Sequence, residues 1–146
     1  MRPVLSLVAL LSLVCTSGAQ DAAKKEMSQL EGEWSMVSGE ANGQPMPRDL
    51  VKNGKRIAKD GETTILINEQ VYFKAKFTID PSKKPKAIEY TMTQGPTKGK
   101  THLGIYELDG DTVKFCFAAP GKERPTDFTA KAGSQRTLSV WKRDKK

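Results

Sequence analysis

Histidine and cysteine are scarce: the 146-residue chain has one His and two Cys. A structural zinc takes about four such ligands, so a metal site built from His and Cys alone is excluded. Long apolar runs are also lacking. The longest, Val4 to Cys15, falls well short of the ~20 residues that span a bilayer. After Glu31 no long apolar stripe of helical period is present. The length suits one domain and is too short for two cores of ordinary size. The formal net charge of +7 is dilute, because Asp and Glu are interspersed with Lys and Arg.

The first 19 residues read as an export signal. Arg2 and the α-amine start it, the apolar run follows, and Ser17 and Ala19 stand as in a small-residue cleavage site. Leu13-Val14 before Cys15 does not fit a lipoprotein site. The expected organisation is a signal peptide over 1–19, a short linker and helical turn over 20–29, and a β domain over 30–146. Cleavage after Ala19 would remove Cys15 and leave Cys116 as the single thiol, so no internal disulfide is expected.

The remaining chain shows short alternating runs broken by Gly, Pro, Asn and Asp, the all-β pattern. Val71 to Ile79 places Val71, Phe73, Ala75, Phe77 and Ile79 on one face. Ala87 to Thr93 does the same with Ile88, Tyr90 and Met92. Asp109-Gly110 predicts a type I′ hairpin in which Tyr106 opposes Val113, Gly104 opposes Phe115 and His102 opposes Phe117. That face carries Tyr106, Leu108, Val113, Phe115 and Phe117, with Cys116 on the other, opposite Leu103. Gly32 to Ser38, with Trp34 and Met36, opens the set. Arg136 to Arg143 closes it, with Leu138 and Val140 assigned to the core. Shorter strands are expected at Arg56 to Lys59, Thr63 to Ile67 and Thr126 to Lys131, and a helical turn at Pro47 to Asn53. About eight or nine consecutive strands favour an up-and-down barrel that closes on itself. A two-sheet sandwich is the alternative.

Gly32-Glu33-Trp34 at the start of the first strand and Arg143 at the end of the last form a G-x-W/Arg pattern. In lipocalin-like barrels such a tryptophan packs across the floor and a basic side chain covers its ring. Longer segments, among them Leu30 to Trp34, Asp80 to Ile88, Gly99 to Thr112, Cys116 to Phe128 and Ala132 to Ser134, resemble a family of exported lipocalin-like domains abundant in planctomycete bacteria. The resemblance implies a lipocalin-like β-barrel and brings no assigned function, catalytic residue or ligand-binding residue.

No constellation for catalysis stands out. G-x-S-x-G is absent, and His102 and Cys116 are expected on opposite faces. No EF-hand spacing is present, and turn chemistry explains Asp109 and Asp111. Lys83, Lys84, Lys86, Lys98, Lys100 and Lys142 to Lys146 form basic clusters, with Tyr72 and Trp141 as the main exposed aromatics. These patterns do not amount to a specific nucleic-acid signature. No enzyme activity, metal or cofactor is expected. An eight-stranded barrel is either filled by its own side chains or holds one small ligand. If it holds one, the candidate contacts are Tyr90, His102, Tyr106, Phe115, Phe117 and Arg124. The reading is an exported module for a small apolar or amphipathic ligand; the alternative is a packed, non-catalytic interaction domain. The candidate partners are that ligand or an envelope protein, with no transmembrane anchor after cleavage.

Overall fold

A computed structural model describes residues 17–145. Residues 1–16, most of the expected export signal, lie outside the described residues. Helix α1 spans Ser17–Leu30, so the segment expected as a linker is helical. Strands β1 (Gly32–Ala41) and β2 (Gln44–Pro45) follow, then helix α2 (Arg48–Asn53). Seven more strands complete the chain: β3 (Gly54–Lys59), β4 (Glu62–Ile67), β5 (Gln70–Asp80), β6 (Lys86–Gln94), β7 (Thr101–Asp109), β8 (Thr112–Ala118) and β9 (Arg136–Arg143). Each strand from β3 to β8 pairs antiparallel with the next, and β1 pairs with both β3 and β9. The result is a closed eight-stranded barrel, with β2 a short addition to β1. Closure removes the unpaired edges that an open sheet would present.

Tight turns set most of the registers. Asn42-Gly43, Asp60-Gly61 and Asn68-Glu69 each join paired strands with both central residues at positive φ. That is the type I′ geometry, which matches the twist of the flanking strands. The β7–β8 hairpin differs from the sequence expectation. Asp109 pairs with Thr112, so the loop is Gly110-Asp111, and only Gly110 has positive φ. Glycine at the first central position is the type II′ arrangement. The pairing is displaced by two residues: Tyr106 faces Phe115, Leu108 faces Val113 and Gly104 faces Phe117. Cys116 therefore lies opposite Ile105 rather than Leu103. A two-residue shift preserves which face each side chain takes. Gly104 does make room for a ring, but for that of Phe117: a Cβ there would lie 2.5 Å from a ring carbon.

Three other strand expectations change. In β9 the inward side chains are Ser139 and Trp141, both buried, not Leu138 and Val140. Trp141 is thus an interior residue and not an exposed aromatic. In β5, Val71 is exposed, because a bulge at Tyr72 breaks the alternation between Val71 and Phe73. Thr126 to Lys131 is not a strand. It belongs to the β8–β9 connection, which lies along the outer wall. There Thr129 O accepts a hydrogen bond from Cys116 Sγ, Lys114 Nζ lies 5.2 Å from the Phe128 ring, and Pro125 and Ala130 are buried. This cover explains why Ile105, Cys116 and Ala118, on the outer face, are also buried.

The two ends of the barrel are built differently. At one end α1 forms a floor, with Leu30 fully buried and Met27 packed on the core. Trp34, in β1, sits in register between Arg56 of β3 and Arg143 of β9. All three side chains bond to the C-terminal end of α1. Leu30 O accepts from Trp34 Nε1 at 3.1 Å and from Arg56 Nη1 at 2.8 Å. Glu31 O accepts from Arg143 Nη1 at 2.8 Å, and Gln29 O accepts from Arg143 Nη2. A helix C-terminus presents unpaired carbonyls and partial negative charge, which suits cations. The other end carries β2, α2 and the β6–β7 loop, and among the described residues no comparable plug closes it.

Candidate functional site

Between the floor and the β2–α2 end lies a cavity of about 550 Å³. Its walls are mainly apolar, with Met36, Ile65, Phe73, Met92, Phe115 and Trp141 among them. The exposed residues Gln44, Pro47, Tyr72 and Pro96 also line it, so it reaches the surface. Small inward side chains make the space. Thr137 and Ser139 stand on β9 where Leu138 and Val140 had been expected, and Gly54 begins β3.

Four of the six candidate contacts line this cavity: Tyr90, His102, Phe115 and Phe117. Tyr90 and Phe117 pack with ring centroids 4.3 Å apart, and Phe115 lies 5.8 Å from Phe117. Aromatic pairs at such distances gain energy beyond the area they bury. His102 sits towards the mouth. Its Nδ1 lies 3.1 Å from Ala118 O, so Nδ1 donates, and Nε2 is 3.0 Å from the Thr97 hydroxyl. Burial holds the imidazole below its ordinary pKa, which favours the neutral form.

Tyr106 and Arg124 are placed elsewhere. Tyr106 lies at the floor near Glu26, whose carboxylate pairs with Lys86. Burial pushes the Tyr106 hydroxyl well above its usual pKa, and the Glu26 charge adds to the shift. Arg124 is on the outer wall. Its Nη1 donates to Ile88 O at 2.7 Å and Gly104 O at 2.6 Å, and its Nη2 pairs with Glu89 at 3.1 Å. It pins the β8–β9 connection to β6 and β7. The residues of the G-x-W/Arg pattern meet in space, with the Arg143 guanidinium 4.2 Å from the Trp34 ring centroid.

Cys116 is buried on the outer face, and burial raises its pKa, so the reactive thiolate is disfavoured. Among the described residues no three His, Cys, Asp or Glu side chains come together as metal ligands.

Comparisons with family models, curated proteins and solved structures return no match.

One interior residue escaped the sequence reading. Arg56 lines the cavity and is fully buried. Its guanidinium lies 5.1 Å from the Phe115 ring, 5.8 Å from Phe77 and 5.9 Å from Trp34. Nη1 is satisfied by Leu30 O, and Nε is 3.5 Å from the Tyr90 hydroxyl. Among the described residues Nη2 has no hydrogen-bond partner. Side-chain polarity alone would point Ile57 inward and Arg56 outward, and the reverse is found. The missed signal was Asp60-Gly61. A type I′ turn there pairs Arg56 with Ile65 and Ala58 with Thr63, which commits Arg56 to the interior.

Proposed function

We propose that this chain is an exported, lipocalin-like binding module that holds one small apolar or amphipathic ligand inside its barrel. The observation that carries the reading is the cavity of about 550 Å³, within the ~300–1,000 Å³ range of small-molecule sites. Its composition is that of such sites, a mainly apolar wall with a minority of polar groups, among them Arg56, Tyr90, His102, Thr97, Thr137 and Ser139. A barrel packed solid by its own side chains would instead have favoured an interaction domain without a ligand. Removing apolar surface from water drives entry, and the mouth at the β2–α2 end gives a route.

The test is a fluorescence titration with phenyl-naphthylamine, an uncharged apolar probe. Saturable binding of about one probe per chain is expected. Thr137→Phe, which fills the cavity from β9, should weaken it about tenfold or more. Absence of saturable binding, or equal binding by wild type and a folded Thr137→Phe variant, would overturn the reading.

A further inference from the structure

The ligand class follows from Arg56. A permanently charged guanidinium buried in an apolar interior is costly unless paired. Among the described residues Arg56 forms no ion pair, and the carboxylates near the floor are engaged elsewhere. Glu26 pairs with Lys86, and Glu31 accepts from the Asp60 backbone amide. The carbonyl of Leu30 and three aromatic rings offset part of the burial, but they leave Nη2 without a hydrogen-bond partner.

The unused part of the fork has a definite shape. Nε and Nη2 share one edge of the planar guanidinium, opposite the carbon stem. Nη1 is taken by Leu30 O. Nε has only the long 3.5 Å contact to Tyr90 Oη, and Nη2 has none. An edge with Nη2 unpartnered and Nε held only by a long bond is the pattern that a carboxylate fills with two parallel hydrogen bonds; the edge is fully covered here, so the carboxylate reaches it by displacing the packing over it. Tyr90 lines the same cavity and sets its hydroxyl beside that edge, where it can add a third donor. The rest of the lining is mainly apolar, with Met36, Ile65, Phe73, Met92 and Trp141 among it.

We infer that the cavity takes a carboxylate amphiphile, inserted head-first, with its head on the Nε–Nη2 edge of Arg56 and its apolar body against the β-barrel wall. This inference rests on the binding reading above. It adds that the site selects negative charge at the inner end, which an apolar cavity alone would reject.

The experiment compares two probes of nearly equal shape, dansyl-aminoundecanoic acid and its uncharged methyl ester. Wild type should bind the acid about tenfold or more tighter than the ester, the scale of a charge-assisted pair. Arg56→Gln should erase that preference, bringing the acid-to-ester affinity ratio to about one. Tyr90→Phe, which keeps the ring, should reduce the preference without abolishing it. The wild-type comparison needs no variant, so it holds even if Arg56→Gln does not fold. Equal binding of acid and ester by wild type would overturn the carboxylate inference while leaving a binding module standing. Failure of both probes, together with phenyl-naphthylamine, would overturn both.

Discussion

Arg143 lays its guanidinium over the ring of Trp34, 4.2 Å from the centroid, across the seam where the first and last strands meet. The same side chain bonds Glu31 O and Gln29 O at the end of α1 and pairs with Asp111 in the β7–β8 turn at 3.3 Å. One residue thus joins the closing strand, the floor helix and a hairpin. Arg143→Ala should cost about 1–3 kcal/mol in urea unfolding. Arg143→Lys should recover little of it, because an ammonium cannot stack or fork as a guanidinium does. Full rescue by lysine would mean that charge alone mattered.

Gly104 and Phe117 give a test of the two-residue register shift. A Cβ at Gly104 would come within 2.5 Å of the Phe117 ring. Gly104→Ala should destabilise by about 1–3 kcal/mol. In the double mutant with Phe117→Leu the two effects should not add, since the clash is removed. Strict additivity, or coupling to Phe115 instead, would argue for the hairpin register read from Asp109-Gly110.

The imidazole of His102 should make stability depend on pH. Burial lowers its pKa in the folded state, so the unfolded chain binds the proton more readily. Its contribution is therefore fully present above the unfolded value of about 6.5 and declines as pH falls through the folded pKa. Urea midpoints should drop between about pH 7.5 and pH 5 in wild type. His102→Asn should flatten that part of the profile. A midpoint that rises over the same interval would reverse the sign of the argument.

Cys116 should be silent towards thiol reagents while the barrel is folded. It is fully buried beneath the β8–β9 connection, and burial disfavours its thiolate. Labelling by a disulfide reagent should follow local or global opening and speed up with urea. Rapid, urea-independent labelling would show that the connection does not cover the outer wall.

The barrel was legible in the sequence because β5, β6, β7 and β8 alternate strongly, and a closed meander is the simple solution for consecutive hairpins. Where the outer wall is also covered, the alternation loses its meaning. Leu138 and Val140 are as apolar as any inward residue, yet they face the β8–β9 side, while the smaller Thr137 and Ser139 face in. That choice of face is what leaves the cavity. A bulge at Tyr72 was equally invisible, since it depends on pairing with β4 and not on local pattern. His102, Tyr90, Phe115 and Phe117 line the cavity because the alternation of their strands turns them inward. Arg56 was missed because burying a lone guanidinium contradicts local polarity, and only the Asp60-Gly61 turn records its register.

Native mass spectrometry of the protein purified from its own cells tests the central claim most directly. If the barrel is a binding module, the folded chain should carry a small molecule in about one-to-one ratio that leaves on denaturation. Repeated recovery of the bare chain under gentle ionisation, with nothing extractable from it, would contradict the account.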